Sequence, residues 1–396
     1  MFEEYKNMLE NYGQHELFMI NYILKEARKD CFLYQFRDKF IVLIKNPENI
    51  LDTKHTKIIV SHIDSPRLDL MLGNPFIESD DGFFAKVVPY GGIIVQDWLN
   101  IPLNLVGRIC TEDDKELFIN TKNQYEFTIT GLLPHLNGRF ELENFSVDNL
   151  LIRLADSKEV FFDEMELTYG IKEEDFELAD LSFVPSFNVR ELGIDKDLIT
   201  GYGHDDKSCT FAQLQAFLDS DSRDTKIAIF ASYEEVGSAQ TTGCQCEIIN
   251  DIFCSLTGDS IVARDVIRNA YVISADVCAG YDCKFSHRFE SCANAILGNG
   301  IGIIPYLGQK RGNDSEFKFR NDIKKLAIKN KIPYQFELTK VTEGGGGTVS
   351  TFFATKGCYV IDVGLPVLAM HSSQEVISKK DLENLYKFYK AFYELE

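Results

Sequence analysis

The chain has 396 residues, 45% apolar and 26% charged, with 61 acidic against 41 basic residues for a net charge of −20. That length exceeds one ordinary domain and the composition is that of a soluble globular protein, so two domains with a sizeable core are expected. The acidic excess argues against nucleic acid and anionic membranes as partners, and no apolar run approaches the ~20 residues that span a bilayer. The stretch Met1-Phe2-Glu3-Glu4-Tyr5-Lys6 lacks the charged-then-apolar pattern of a signal peptide, so the cytoplasm is the expected location. Ten cysteines without paired zinc-finger spacing read as reduced core thiols, among them Cys31, Cys110, Cys209, Cys254 and Cys358.

In chain order, residues 6–29 carry apolar side chains at helical spacing, interrupted at Gly13. Phe40 to Ile44 reads as a strand, and Lys57 to Ser61 as a buried one that ends in His62-Ile63-Asp64. The two-residue alternation aims His62 and Asp64 to one side, where the carboxylate fixes the ring. From residue 72 to 200 short alternating runs (Phe83 to Val88, Leu103 to Cys110, Tyr125 to Thr130) sit between Gly and Asp clusters. They predict a mostly antiparallel β domain, inserted into a catalytic α/β domain of residues 1–71 plus 201–396. The insertion holds the only tryptophan, Trp98, and an isolated His135. Gly201-Tyr202-Gly203-His204-Asp205-Asp206 is a glycine-flanked turn before a helix on which Phe211, Leu214, Phe217 and Leu218 share a face.

Lys226 to Ala231 reads as a buried parallel strand. The carboxylates that follow, Glu234 and Glu235, are expected to point to opposite sides, one as a metal ligand and one as a general base. Asn269 to Ser274 is another buried run that ends near a carboxylate, Asp276. The run Gly344 to Gly347 lacks the lysine of a phosphate-binding loop and suits close backbone approach. Cys358 to Val363 is a further strand, with His371 beyond it. The last helix is expected to start at Ser378 as N-cap, with Asp381 three residues on.

His62, Glu235, Asp276 and His371 thus lie at or just past the carboxyl ends of four buried strands, where open α/β sheets collect ligands. Asp205 or Asp206 joins them on the turn before a helix. Two histidines and three carboxylates suffice for two divalent ions with one Asp between them, leaving Glu234 to take a proton from an activated water. Zinc, cobalt and manganese all accept such mixed donors. The fold class expected is α/β, a mixed, mostly parallel sheet flanked by helices, with an inserted β-rich domain.

The chain resembles the aspartyl aminopeptidase group of the M18 metallopeptidases, in its bacterial branch. The resemblance is carried by Ser61-His62-Ile63-Asp64-Ser65-Pro66-Arg67, Leu132-Leu133-Pro134-His135-Leu136 and Gly203-His204-Asp205-Asp206-Lys207. Glu234-Glu235-Val236-Gly237-Ser238, Ser274-Ala275-Asp276-Val277, Gly344-Gly345-Gly346-Gly347-Thr348 and Ala369-Met370-His371-Ser372 follow in family order. It implies His62, Asp205, Glu235, Asp276 and His371 as ligands of two metal ions, most readily zinc, with Asp205 bridging. It makes Glu234 the general base and Asp64 the residue that orients His62. It also implies that the insertion builds a dodecamer, in which His135 enters a neighbouring subunit's substrate site. The implied activity is removal of N-terminal residues from peptides. Acidic-selective members carry a His where this chain has Ala279 and a Lys where it has Ile304 or Pro305, and 289–294 also departs from their pattern. Lys310 and Arg311 are the nearby cations that could supply substitute charge. Two other readings use the same residues: an amidohydrolase or deacylase acting on a non-peptide amide, and a metal-stabilised assembly protein with little catalysis.

Overall fold

The computed structural model describes residues 1–27, 31–133, 135, 150–306, 314–338 and 347–395. Gly344, Gly345 and Gly346 of the glycine run, and Lys310 and Arg311, lie outside the described residues. The chain forms two compact units: Met1–Asp64, Val189–Met370 and Glu375–Glu396 make one, and Ser65–Asn188 with His371–Gln374 make the other.

The first unit is built on an eight-stranded sheet in the order Phe32–Phe36, Phe40–Lys45, Lys226–Ala231, Lys57–His62, Tyr271–Ser274, Tyr359–Gly364, Ile301–Ile304, Tyr334–Phe336. The four strands from Lys226–Ala231 to Tyr359–Gly364 run parallel; antiparallel pairings add Phe40–Lys45 and Phe32–Phe36 on one side and Ile301–Ile304 on the other, and Tyr334–Phe336 runs parallel to Ile301–Ile304. The central strands are largely apolar, as suits a sheet with helices on both faces. Successive residues feed different cores. Ile59, Ala228, Phe230 and Ile273 pack with the helices His204–Asp219 and Lys379–Tyr393, whereas Ile58, Val60, Ile227, Ile229 and Val272 pack with Ile248–Thr257 and Ser260–Arg268. The parallel α/β expectation is met, and the adjacent parallel strands end side by side, with Ala231 opposite His62.

The N-terminal helical stretch is two helices, Phe2–Asn11 and Glu16–Glu26. A Cβ at Gly13 would lie 2.6 Å from Leu9 Cδ1, so the chain turns there. His15 caps the second helix by accepting from Leu17 N at 3.2 Å. The last helix, Lys379–Tyr393, begins at Ser378, whose hydroxyl accepts from the amides of Lys380 and Asp381. Asp381 does not complete a capping box; it accepts instead from Gly298 N at 2.6 Å and Gly300 N at 2.7 Å. Leu382, Leu385, Tyr389 and Phe392 of this helix are buried, and Tyr386 is partly so.

The second unit carries a seven-stranded sheet, antiparallel throughout, from Arg67–Leu70 to Asp180–Pro185. Its helix Lys158–Tyr169 places Phe161 and Phe162 among Phe76, Phe83 and Phe176. Trp98 is buried. Tyr125 to Thr130 is not the expected strand: the amides of Gln124 and Tyr125 both donate to Thr121 O, which curls the chain, and isolated bridges at Phe127 and Thr128 are what remains. Among the described residues no disulfide joins any of the ten cysteines; Cys209, Cys244 and Cys278 are buried, whereas Cys110, at the end of its strand, is exposed rather than in the core. No helix among the described residues is long and apolar enough to cross a membrane.

Candidate metal centre

His62 closes its strand and is buried. Its Nδ1 lies 3.4 Å from Asp64 Oδ1 and 3.2 Å from the Asp64 carbonyl oxygen. That leaves Nε2 facing the other carboxylates, at 3.3 Å from Asp205 Oδ1, 3.9 Å from Asp276 Oδ1 and 4.0 Å from Glu234 Oε2. The backbone beneath the ring is held on both sides: His62 N donates to Asp206 Oδ2 at 3.2 Å, and Thr210 Oγ1 donates to His62 O at 2.9 Å.

The paired glutamates do not continue the extended strand, so strand alternation is not what sends Glu234 toward Asp276 and Glu235 toward Asp205. Tyr233 takes a left-handed conformation, φ 63°, and residues Glu234–Val236 form a short 3-10 turn. The reason is a shared acceptor. Glu234 N donates to Asp64 Oδ1 at 3.3 Å and Glu235 N to Asp64 Oδ2 at 3.2 Å, which an extended strand with alternating amides would not allow. One carboxylate therefore fixes both the His62 ring and the turn that bears Glu234 and Glu235.

Asp205 and Asp206 follow Gly203, whose φ of 79° favours glycine, and both keep non-helical angles before the helix proper. Asp205 N donates to Glu375 Oε2 at 2.9 Å. Asp276 follows the strand Tyr271–Ser274, and Gly364 lets it sit there: a Cβ at Gly364 would lie 1.8 Å from Asp276 O. Donor atoms within 4.8 Å of one another then fall into three groups, His62–Glu234–Asp276, His62–Asp205–Glu235 and Asp205–Asp206–Asp276. His371 and His135 belong to the second unit. His371 has a φ of 66°, and a Cβ at Gly92 would lie 3.5 Å from its Nδ1. His135 is exposed in a turn.

Electrostatics in the first unit's cluster are dominated by burial. Burial, then the neighbouring charges of Asp206, Glu234 and Asp205, hold the Asp276 carboxyl well above the usual range. Burial likewise raises Asp206. Burial would lower His62, but Asp205, Asp64 and Asp206 outweigh it and raise the imidazole well above its ordinary value. Lys207, also buried, is lowered by desolvation and supported by Asp64, Glu16, Glu375 and Asp205. Sequence reasoning missed Lys207, Glu375 and Thr210 as parts of the site. Lys207 directly follows the Asp pair and could have been found, whereas Glu375 and Thr210 carry no spacing signal.

The donor set fits a divalent cation. Five carboxylates, those of Asp205, Asp206, Glu234, Glu235 and Asp276, around one imidazole leave an excess of negative charge in a desolvated place. Asp206 Oδ1 is buried without a hydrogen-bond partner among the described residues. Histidine nitrogen with carboxylate oxygen is a donor set that zinc accepts.

The M18 family of aminopeptidase I zinc metalloproteases matches residues 39–393. A probable M18 family aminopeptidase 1 of Borrelia garinii subsp. bavariensis is 33% identical over 441 residues, covering 99% of this chain and 95% of that protein. The crystal structure of an M18 aminopeptidase from Thermotoga maritima superposes with a TM-score of 0.93 at 29% identity, over 99% of this chain and 95% of that one. The S. cerevisiae mApe1 dodecamer shares the fold at 18% identity and a TM-score of 0.81, over 98% of this chain and 95% of that one. Fold and relatives together define a metal-dependent aminopeptidase. The chain belongs to the M18 family.

Proposed function

We propose that this aminopeptidase works with two divalent ions held by His62, Asp205, Glu235, Asp276 and His371, with Asp205 between them and Glu234 as general base. The carrying observation is that His62, Asp205, Glu235 and Asp276 bring donor atoms together around Glu234 at the carboxyl ends of adjacent parallel strands. His371 enters on the family motif alone. Zinc is the proposed ion, on the family description, and cobalt and manganese suit the same donors. Such ions supply Lewis acidity toward the scissile carbonyl and make bound water a stronger acid. Glu234 takes the proton of the attacking water and returns it to the departing amine. Asp64 keeps His62 Nε2 aimed at the donors and, through the two amides of the turn, keeps Glu234 and Glu235 beside it.

Peptides are the proposed substrates, with the cytoplasm as the location. The β-rich unit is proposed to build a homo-oligomer, most simply a dodecamer, and His135 to act in a neighbour's substrate site. The described dodecamer of the yeast relative supports that reading, as does the family motif around His135.

Glu234→Gln tests the base. Hydrolysis of aminoacyl-p-nitroanilides is expected to fall about 10²–10⁴-fold while the metal content measured by mass spectrometry stays the same. Undiminished hydrolysis with metal in place would remove Glu234 from this role. Wild-type protein is expected to carry two ions per chain after dialysis against zinc, and to regain activity with zinc, cobalt or manganese after chelation. A single ion at saturation would overturn the two-metal reading.

A further inference from the structure

The helix Phe2–Asn11 touches the turn that bears Asp205 and Asp206 through one side chain. Tyr5 is buried, and its Oη shares a hydrogen bond of 2.6 Å with Nδ1 of His204, the residue directly before Asp205. The two rings stack at 21° with centroids 5.8 Å apart, and Phe211, farther along the helix that His204 begins, tilts against Tyr5 at 5.4 Å. The phenol also lies in the field of the site. Burial first, then the charges of Glu375, Cys209 and Asp206, raise it well above its usual value, so the hydroxyl keeps its proton.

His204 is itself enclosed. Its carbonyl accepts from Ser208 Oγ at 2.6 Å, and a Cβ at Gly201 would lie 3.5 Å from its Nε2. That Nε2 is buried without a hydrogen-bond partner among the described residues, so the Tyr5 hydroxyl is the ring's one hydrogen bond there. The two carboxylates come next in the chain. Asp205 N donates to Glu375 Oε2 at 2.9 Å, and Asp206 Oδ2 accepts from His62 N at 3.2 Å. Amides at a helix start have no partner within the helix, and Asp205 and Asp206 hold non-helical angles. Their placement therefore depends on contacts with neighbouring groups.

We propose that Tyr5 is a positioning residue for the metal centre: its hydroxyl fixes the His204 ring, and His204 in turn fixes where the chain presents Asp205. The proposal rests on Asp205 being a metal ligand. An imidazole has two polar nitrogens, and without the hydroxyl both are buried and unpaired, which is costly. Relief comes only from movement of His204, and the peptide bond to Asp205 moves with it. A displaced donor binds a cation less well, as with other partners that orient metal ligands from outside.

The test is Tyr5→Phe, which removes the hydroxyl alone, with Tyr393→Phe as comparison. Tyr393 is equally buried, and its hydroxyl donates at 3.2 Å to the carbonyl of Ile227, near the start of the strand whose far end leads to Glu234. Zinc affinity is read by competitive chelator titration, kcat and KM with Leu-p-nitroanilide, and folding by thermal unfolding after chelation. Tyr5→Phe is expected to weaken zinc binding about tenfold and to lower kcat with KM within twofold. Tyr393→Phe is expected to unfold at a lower temperature and keep its zinc affinity within twofold of wild type. His204→Phe is expected to weaken zinc binding as Tyr5→Phe does, and adding Tyr5→Phe to it to change the affinity by less than twofold. A folded Tyr5→Phe or His204→Phe with zinc affinity within twofold of wild type overturns the proposal, as does an equal loss in Tyr393→Phe. Asp205→Asn separates the two readings. Zinc binding lost in Asp205→Asn but kept in Tyr5→Phe overturns the role of Tyr5 alone, whereas undiminished binding in Asp205→Asn overturns the ligand assignment and the proposal with it.

Discussion

Asp64 is where several demands on one side chain meet. Its two oxygens serve the His62 ring and the amides of Glu234 and Glu235 at once. Asp64→Ala should therefore lower metal affinity or activity by about 10–100-fold, measured by competitive chelator titration and by turnover. Asp362 supplies a prediction about pH. Burial pushes its carboxyl up from 3.8 to about 6, while Thr348 Oγ1 donates to Oδ1 at 2.7 Å and Oδ2 is buried without a hydrogen-bond partner among the described residues. The native state then binds more protons than the unfolded chain between those values. The group's stabilising contribution is full below pH 3.8 and is lost as pH rises through about 6. Asp362→Asn keeps the acceptor for Thr348 and removes the titration. Its unfolding temperature should match wild type near pH 4 and exceed it at pH 7, by up to about 3 kcal/mol of stability. A constant difference across that range would refute the assignment. At this scale His62, Asp205, Glu234, Glu235 and Asp276 were legible as candidates because each sits at a strand end or turn in a motif. The second task of Asp64 was not, because it depends on a turn far along the chain.

Among elements, those buried on both faces were the legible ones. Lys57–His62, Lys226–Ala231 and Tyr271–Ser274 carry apolar runs over residues 58–60, 227–231 and 271–273, a pattern that a sheet covered on both sides demands. Segments shaped by a single distant acceptor were not legible, as with the turn at Glu234–Val236 held by Asp64. Neither was the curl after Thr121, since residues 125–130 alternate as a strand would. Two substitutions test how elements place the site. Gly364→Ala forces a methyl group onto the Asp276 carbonyl, so the Asp276 end of the cluster should shift. Metal binding is expected to weaken at least tenfold, with the loss read by the same chelator titration; unchanged affinity would show that Asp276 moves freely. Ser378→Ala removes two accepted amide bonds at the start of the last helix and should cost about 1 kcal/mol in denaturant unfolding, without changing metal content.

At the level of the whole molecule, the two units differ in kind. One is a mixed sheet between helices and the other an antiparallel sheet with an aromatic cluster. Composition made that contrast legible, because alternating short runs replace long apolar ones between residues 72 and 200. The β-rich unit's proposed role in assembly was not a matter of pattern; it enters from the family resemblance. Sedimentation at micromolar concentration should show a species about twelve times the 45.1 kDa chain mass. A monomer under those conditions would defeat the assembly proposal.

The register of the sheet has a consequence for how the enzyme is made. Ala231 lies opposite His62, although well over a hundred residues of chain separate them. A ribosome adds roughly 5–20 residues per second, so on the order of ten seconds passes between the emergence of one strand and that of its neighbour. Asp276 follows later still. During synthesis the growing chain is thus a peptide-cutting enzyme in waiting. Its candidate donors are scattered along an unfinished polymer, and His62, Asp205, Glu235 and Asp276 can come together only after Asp276 has been translated. Strand order alone thus keeps the candidate centre unassembled in the nascent protein.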